Sequence, residues 1–437
     1  MIASGRDRVS LRLAEIGHEF DHGMALKLDR IEAALAALDN PHLRLPRVLH
    51  VAGTNGKGST CAFLRAMTEA AGLRAHVFSS PHLITPNERV RLAGALARDD
   101  QFIDAIDRVA ALAMTLPYFE VLTTAAFVMF AETPADVLVL EVGLGGTFDA
   151  TNVIPAPAVA TIAPIAFDHM AILGNTIDKI ASEKAGILKR GAPGVIARQP
   201  EAAMEVIEAR AASLGVTLSR CGVEWDGWRA NGRLCVQTQD RFLDLPAPNL
   251  EGLHQFDNAA LAVATLLAWE AARFDDDALA HGVTHAYWPG RMQRLTRGLL
   301  GDIADARGAE LWLDGAHNPH GAAALAQTLR ELDARAPRPL VLICGLLTTK
   351  DVDGVLAPLA RADAPFIAVP VPSSTAAQDP RKLAAIAVSH GFAATHAPSL
   401  LDAMKNAAAL PGEPPRIVIC GSLYLAGDAL ALSGGVS

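Results

Sequence analysis

The first place in this sequence where chemistry could be done is a lysine set among small residues. Residues 53–59 read Gly-Thr-Asn-Gly-Lys-Gly-Ser. Before them, Val48, Leu49, Val51 and Ala52 form a short apolar run without helical period, which suits a buried parallel strand. From Ser59 onward, Ala62, Phe63, Ala66, Met67 and Ala70 recur at helical spacing, and Gly72 stands where a C-cap belongs. Strand, glycine loop and helix together make an anion cradle: loop amides and the helix N-terminus face a phosphate, and Lys57 supplies a point charge. The common phosphate-loop pattern has Ser or Thr directly after the lysine, whereas here Gly58 intervenes before Ser59 and Thr60. A plain glycine turn with an exposed lysine is the alternative; the flanking strand and amphipathic helix favour phosphate binding.

In an open α/β sheet, polar groups at the C-terminal ends of neighbouring strands line the same crevice. The segment 74–80 reads as a second strand ending in Ser79 and Ser80. It runs into a polar loop with His82, Glu88, Arg89 and Arg91, which is ligand-facing or equally a solvated surface. Residues 136–142 are apolar until Glu141, where a nucleotide enzyme places a magnesium ligand. A fourth strand within 156–165 leads to Phe167-Asp168-His169, and Lys184 follows inside a helix-like stretch that stops near Gly191. Lone histidines and lysines are usually structural or solvated, so spacing alone promotes neither.

The elements that must position these groups alternate along the chain. A helix over 24–39, preceded by the polar turn Asp21-His22-Gly23, comes before the first strand. Helical patterns over 99–116 and 121–132 are separated by Pro117-Tyr118-Phe119-Glu120, and another strand falls at 193–197. Alternation continues to about residue 220, the pattern of a doubly wound parallel sheet. Residues 221–248 suggest a small antiparallel excursion, and a helix over 250–270 carries Asn258 near its start. Trp288-Pro289-Gly290-Arg291 breaks regular structure, so a domain boundary is expected near 295, dividing the chain into 1–295 and 296–437. Beyond it, strands near 310–314, 339–345, 366–371 and 416–422 form a second α/β pattern, with Asp314-Gly315-Ala316-His317-Asn318-Pro319 at a strand end. The expected fold is α/β: an N-terminal P-loop-type doubly wound ATPase domain plus a smaller C-terminal Rossmann-like domain.

Composition sets the surroundings. A chain of 437 residues exceeds one ordinary core. A formal net charge of -9 argues against broad nucleic-acid or acidic-membrane binding. Five dispersed cysteines without C-x-x-C spacing support neither a disulfide framework nor a cysteine zinc site. The N-terminal residues lack the apolar core of a secretory signal, and the longest uncharged run, 150–167, is broken by Pro155, Pro157 and Pro164. A soluble cytoplasmic protein is expected.

Taken in order, GTNGKGS at 53–59, SSPHL at 79–83, ERVR at 88–91, YFE at 118–120, LEVGLGG at 140–146, DATN at 149–152, FDH at 167–169, EKAGI at 183–187, PGR at 289–291 and DGAHNP at 314–319 resemble the folate branch of the Mur ligase superfamily. The resemblance is to the dihydrofolate synthase/folylpolyglutamate synthase type and covers nearly the whole chain. It implies an ATP-dependent amide ligase of folate biosynthesis and one-carbon metabolism. A carboxylate is phosphorylated to an acyl phosphate with release of ADP, and L-glutamate attacks the activated carbonyl of dihydropteroate or a folate. By that resemblance Thr54, Asn55, Gly56, Lys57, Gly58 and Ser59 wrap the ATP phosphates. Asn258, Arg291 and Asp314 are further nucleotide contacts, and Lys57, Lys184, His169 and His317 are the expected catalytic residues, the role of His317 in the cleft staying open. Two Mg2+ ions are implied, one held by Ser80 and Glu141, the other by His169 and a carbamylated Lys184. Asp21, His22, Gly23, Pro117, Tyr118, Phe119, Glu120, Phe148, Asp149 and Ala150 match the segments that grip pteroate. The family commonly has arginine after the paired glycines, where this chain has Thr147. A monomer with small-molecule substrates is expected. The competing readings are a monofunctional folylpolyglutamate synthase, a ligase of cell-wall precursors, and a nucleotide-binding regulator without catalysis.

Overall fold

The computed structural model describes residues 7–16, 27–361 and 364–435. Asp21, His22 and Gly23 lie outside the described residues. The chain divides into two compact units, Met1–Asn249 with Gln255–Tyr287, and Leu250–His254 with Trp288–Ser437.

The first unit is built on eight strands: β1 (Arg47–Ala52), β2 (Ala75–Phe78), β3 (Val90–Leu92), β4 (Ala95–Leu96), β5 (Val137–Glu141), β6 (Val159–Ile162), β7 (Gly194–Ile196) and β8 (Leu218–Arg220). They lie in the order β4-β3-β2-β5-β1-β6-β7-β8. β1 is central and parallel to β5 and β6, with Val51 level with Glu141 and Thr161. Continuous apolar runs such as Val137–Glu141 are buried on both faces, as crossover helices require. One face carries the helices Arg8–Ile16, Asp29–Ala37, Asp99–Ala110 and Tyr118–Glu132, whose core includes Leu13, Ile31, Phe102 and Phe127. Ile177–Ala185 and Glu201–Leu214 pack further along the same face through Ile180 and Ile207, since Ala160 and Ile162 of β6 stand level with His50 and Ala52 of β1.

Two local expectations change. The polar segment after β2 is no open loop: β3 and β4 run antiparallel at the sheet edge. Their polar neighbours are satisfied internally, as Asn87 donates to the Ala97 carbonyl at 2.9 Å and to Asp99 at 3.0 Å. Tyr118, Phe119 and Glu120 do not interrupt a helix; they open the helix Tyr118–Glu132, with Pro117 as its N-cap. Proline fits there because the missing N–H is not needed.

Strands β9 (Trp225–Ala230), β10 (Arg233–Thr238) and β11 (Phe242–Leu245) form the antiparallel excursion as a separate three-stranded sheet. The helix Leu253–Glu270 follows.

The second unit has β12 (Gln293–Arg294), β13 (Glu310–Leu313), β14 (Leu340–Cys344), β15 (Pro365–Ala368), β16 (Ala393–His396) and β17 (Arg416–Cys420), in the order β12-β13-β17-β14-β15-β16. All pair in parallel except β12, which is antiparallel to β13 with Gln293 opposite Leu313. That pairing holds residues before 295 in the second sheet, so the division falls between Tyr287 and Trp288. Arg416, almost fully buried at the start of β17, bonds Glu310 at 3.0 Å and the Ala336 carbonyl at 2.9 Å and ion-pairs with Asp333. Among the described residues no helix is long and apolar enough to cross a membrane.

Candidate active site

The phosphate loop leaves the C-terminal end of β1 and bends at Gly53 (φ 144°). A side chain there would meet the Ala163 Cβ at 2.7 Å, so glycine lets the loop lie flush on the end of β6. The amides of Thr54 and Asn55 donate to the Pro164 carbonyl at 2.9 and 3.3 Å. The Thr54 hydroxyl donates to the Ala166 carbonyl and accepts from the Ala166 amide, both at 3.0 Å. Thr54 therefore braces the loop. Gly56 (φ 85°) is the N-cap of the helix Lys57–Ala70, and a Cβ on it would lie 2.3 Å from Asn258 Oδ1. Asn258 is held in turn by donating to Gln255 Oε1 at 3.0 Å. First-turn amides of such a helix have no intrahelical acceptor and are available to an anion.

Two lysines converge on the loop. Lys57 Nζ donates to the Gly53 carbonyl at 3.1 Å and the Thr54 carbonyl at 3.3 Å. Lys184 Nζ, from the end of the helix Ile177–Ala185, donates to the same Gly53 carbonyl at 2.9 Å. Burial is the main reason that the Lys184 amine is pushed down to about 7, and the nearby Lys57 charge adds to it. Asp168, Asp149 and Glu183 oppose the shift.

Ser80 and Glu141 are brought together, the Ser80 amide donating to Glu141 Oε2 at 3.1 Å. Glu141 is buried at the end of β5, level with Val51 of β1. A serine hydroxyl and a carboxylate are the hard oxygen donors that magnesium prefers, so this pair fits the ion. His169 (φ 50°) is half-exposed beside Asp168, their side chains 3.9 Å apart. Among the described residues no group of three His, Cys, Asp or Glu forms a ready metal site. As an amine, Lys184 is no ligand for a hard cation, so a second ion fits only once that nitrogen carries a carboxylate.

The residues matched to pteroate binding separate into two sets. Phe148 is exposed and Tyr118 and Phe119 are half-buried, so their surfaces remain accessible. Pro117 and Ala150 are buried. Glu120 is buried and takes a two-pronged contact from Arg30, at 2.7 and 3.3 Å. Asp149 is buried and accepts from the Leu144 amide at 2.8 Å, the Thr151 amide at 3.0 Å and the Thr151 hydroxyl. Burial raises both carboxyls, against the pull of these donors. In this state Glu120 ties its helix to the helix Asp29–Ala37, and Asp149 braces its own loop.

In the second unit, Asp314 closes the turn after β13: its carboxylate accepts from the Met292 and Ala316 amides, each at 2.8 Å. Its carboxyl is raised by burial and drawn back chiefly by Arg291. Arg291 Nη1 donates to the Gly290 carbonyl at 3.1 Å, and a Cβ on Gly315 would stand 2.6 Å from that nitrogen. His317 Nδ1 lies 2.9 Å from the Gly315 carbonyl, and Asn318 caps the helix Pro319–Arg335. Arg291, Asp314 and His317 are thus neighbours on one turn.

Sequence reading missed the Gly53 carbonyl as a shared acceptor, Asp168 as a charge near Lys184, and Asn152, which bonds across to the lysine's helix. Only the glycine before Thr54 carried any local signal of the first.

A glycine loop of this geometry beside a strand-end carboxylate is what a nucleotide-dependent enzyme presents, and residues 51–266 match the Mur ligase middle domain, the class of ATP-dependent ligases. Residues 302–432 match the dihydrofolate synthetase C-terminal domain. The dihydrofolate synthase/folylpolyglutamate synthase of Bacillus subtilis is 37% identical over 327 residues, covering 71% of this chain and 73% of that protein. E. coli FolC, solved in complex with DHPP and ADP, superposes with a TM-score of 0.85 at 29% identity, covering 97% of both chains. A bifunctional folylpolyglutamate synthase/dihydrofolate synthase solved with Mn, AMPPNP and L-glutamate bound gives 0.83 at 33% identity, again over 97% of both. The chain belongs to the dihydrofolate synthase/folylpolyglutamate synthase family.

Proposed function

We propose that this chain is an ADP-forming ligase that joins L-glutamate to dihydropteroate, giving dihydrofolate, and to tetrahydrofolate, extending a poly-γ-glutamate tail. The observation that carries the reading is the convergence of Lys57 and Lys184 on the Gly53 carbonyl, beside a buried strand-end glutamate. Carboxylate and amine at neutral pH form a salt rather than an amide. An oxygen of the acceptor carboxylate therefore takes the terminal phosphoryl group of ATP, and ADP leaves with the electron pair of the broken P–O bond. The neutral amine of glutamate attacks the carbonyl carbon, phosphate departs with its bonding pair, and the nitrogen's surplus proton goes to solvent. Loop amides and Lys57 neutralise charge on the phosphates, so the protein contributes mainly positioning and electrostatics.

Lys184, buried with its amine brought to about 7, suits addition to CO2. The amine lone pair forms an N–C bond, a C=O electron pair moves onto oxygen, and a proton is lost to water. The product is a carboxylate-like anion. With it, His169 and Lys184 would hold a second divalent ion, while Ser80 and Glu141 hold the first; bound magnesium would supply charge neutralisation at the phosphates. Asn258, Arg291 and Asp314 are assigned to nucleotide contact on the family resemblance, and His317 shares the turn of Asp314. A single chain in the cytoplasm, acting on small molecules without nucleic acid, completes the proposal.

The test is ADP release with magnesium, ATP and L-glutamate, comparing dihydropteroate with tetrahydrofolate as acceptor. Release with both supports the bifunctional reading. Internal bonding of Glu120 and Asp149, together with Thr147, favours the second reading, a monofunctional folylpolyglutamate synthase. Release with tetrahydrofolate alone would establish it. Release with neither would overturn both.

A further inference from the structure

In the sequence block Asp149-Ala150-Thr151-Asn152, Asn152 has no part in the reaction chemistry described above. Asn152 is buried, and its side-chain amide nitrogen reaches two carbonyls belonging to different segments: Thr147 at 3.1 Å and Gly186 at 3.2 Å. Its own oxygen, Oδ1, is buried without a partner. An unmet acceptor is costly, so what retains an amide here is its two N–H groups.

The segments it joins are the glycine loop after β5 and the end of the Lys184 helix, which meet backbone to backbone. A Cβ on Gly146 would fall 2.4 Å from the Glu183 carbonyl oxygen, and one on Gly186 would fall 2.2 Å from the Thr147 hydroxyl. The Thr147 amide donates to the Glu183 carbonyl at 2.9 Å, and its hydroxyl donates to the same oxygen at 3.2 Å. Asn152 is itself held, its amide donating to Asp149 O at 2.8 Å and its carbonyl accepting from Lys189 Nζ at 2.7 Å. Lys184 thus sits between two pinned carbonyls, those of Glu183 and Gly186. A lysine side chain has four rotatable bonds, so the placement of its nitrogen against Gly53 depends on how firmly its backbone is fixed.

We propose that Asn152 and Thr147 form a clasp that positions Lys184 for carbamylation, tying the lysine's helix to the loop that begins at Glu141. The inference rests on the carbamate reading of Lys184 given above. It also gives Thr147 a role in this chain: a short hydroxyl side chain reaches the Glu183 carbonyl.

Four proteins decide the question: wild type, Asn152→Ala, Thr147→Val and Lys184→Ala, each equilibrated with 13C-bicarbonate. The readouts are the carbamate carbon by 13C NMR, ADP affinity by calorimetry, and kcat and KM for ATP. In Asn152→Ala, ADP affinity and KM stay within about twofold while kcat falls about 10²-fold, the scale of a small misplacement of a reacting group. The carbamate signal shrinks at fixed bicarbonate, and both signal and kcat recover in part when bicarbonate is raised. Thr147→Val, which keeps the backbone bond, shows the same pattern more weakly. Wild-type carbamate occupancy and kcat in Asn152→Ala would overturn the clasp, as would loss of ADP binding in both clasp variants, which marks a general structural role. Absence of the signal from wild type would instead overturn the carbamate reading, and the clasp with it. Lys184→Ala, lacking the signal, fixes its assignment.

Discussion

Lys57 and Lys184, 127 positions apart in the chain, donate to one acceptor, the carbonyl oxygen of Gly53, at 3.1 and 2.9 Å. One lysine opens the phosphate-loop helix and the other closes the helix Ile177–Ala185. Burial, and after it the nearby Lys57 charge, makes Lys184 give up its proton more readily than an ordinary lysine. On the proposed reading the two have separate roles: Lys57 faces phosphate, and Lys184 is the amine that reacts with CO2.

The depressed Lys184 predicts a signature in stability. Between about 7 and the ordinary lysine value of 10.5, the unfolded chain holds a proton that the folded chain does not. Stability therefore rises with pH across that window, and the penalty of a buried ammonium is fully present below it. In CO2-free buffer, Lys184→Met is expected to unfold about 2–4 °C higher than wild type at pH 6. The gap should close toward pH 10. Thermal unfolding of both proteins across pH measures it, and a gap that stayed constant would show that Lys184 is not the titrating group.

Lys57→Ala removes phosphate charge without opening a core cavity, since Lys57 is only half-buried. Turnover should fall by about 10³-fold, in line with the loss of a preorganised charge. The unfolding midpoint should stay close to wild type. ADP release and thermal melting measured on one preparation check both halves; wild-type turnover would remove Lys57 from the mechanism.

Gly56→Ala tests the loop itself. The new methyl group would meet Asn258 Oδ1 at 2.3 Å, at a residue whose φ of 85° already disfavours any side chain. Both strains are local to the anion cradle, so ADP affinity is expected to drop about tenfold or more, roughly the cost of a strained backbone of 1–3 kcal/mol. Far-ultraviolet circular dichroism should be unchanged. Calorimetric titration with ADP gives the answer, and unaltered affinity would mean that the loop relaxes freely.

Arg30→Met should strand Glu120. The pair has side-chain exposures of 26% and 10%, so the loss is largely unscreened by water and is expected to cost about 3 kcal/mol at pH 7. Burial already raises the Glu120 carboxyl, and without Arg30 it rises further. Relative stability of the variant is therefore greatest at acid pH and is lost as pH rises through the folded-state value. Urea unfolding at pH 4.5 and 7 measures this. Adding Glu120→Gln should restore most of the neutral-pH loss, and its failure to do so would count against the ion pair as the cause.

How much of this could be read beforehand follows from the kind of signal each part leaves. β1, β5, β14 and β17 are buried on both faces, so they are continuous apolar runs that stand out in a sequence. β16 is mostly exposed, and β12 is two residues long; neither has room for a pattern. β3 and β4 hide in a polar stretch because their charged neighbours find partners only after folding. In the site, Lys57, Ser80 and Glu141 were legible because loop, strand end and chain order are local features. The shared Gly53 carbonyl, the Arg30–Glu120 pair and the Asn152 bridge join residues 34 to 131 positions apart, and no spacing rule records such partners. For the same reason Glu120 and Asp149 looked free to meet a substrate, whereas the fold gives their oxygens donors of its own.

The first unit is not continuous along the chain. It resumes after residue 254, and the later stretch supplies Asn258 beside Gly56 and a helix, Asp276–His285, whose Gly282 lies against Met67 of the phosphate-loop helix. A ribosome that has finished the loop must therefore add some 230 further residues before its cradle has all its walls, on the order of 10–50 s at ordinary rates of synthesis. Until then the nascent chain holds a glycine-rich loop in an incomplete cradle, and full nucleotide-assisted folding waits for the stretch that carries Asn258 and Gly282.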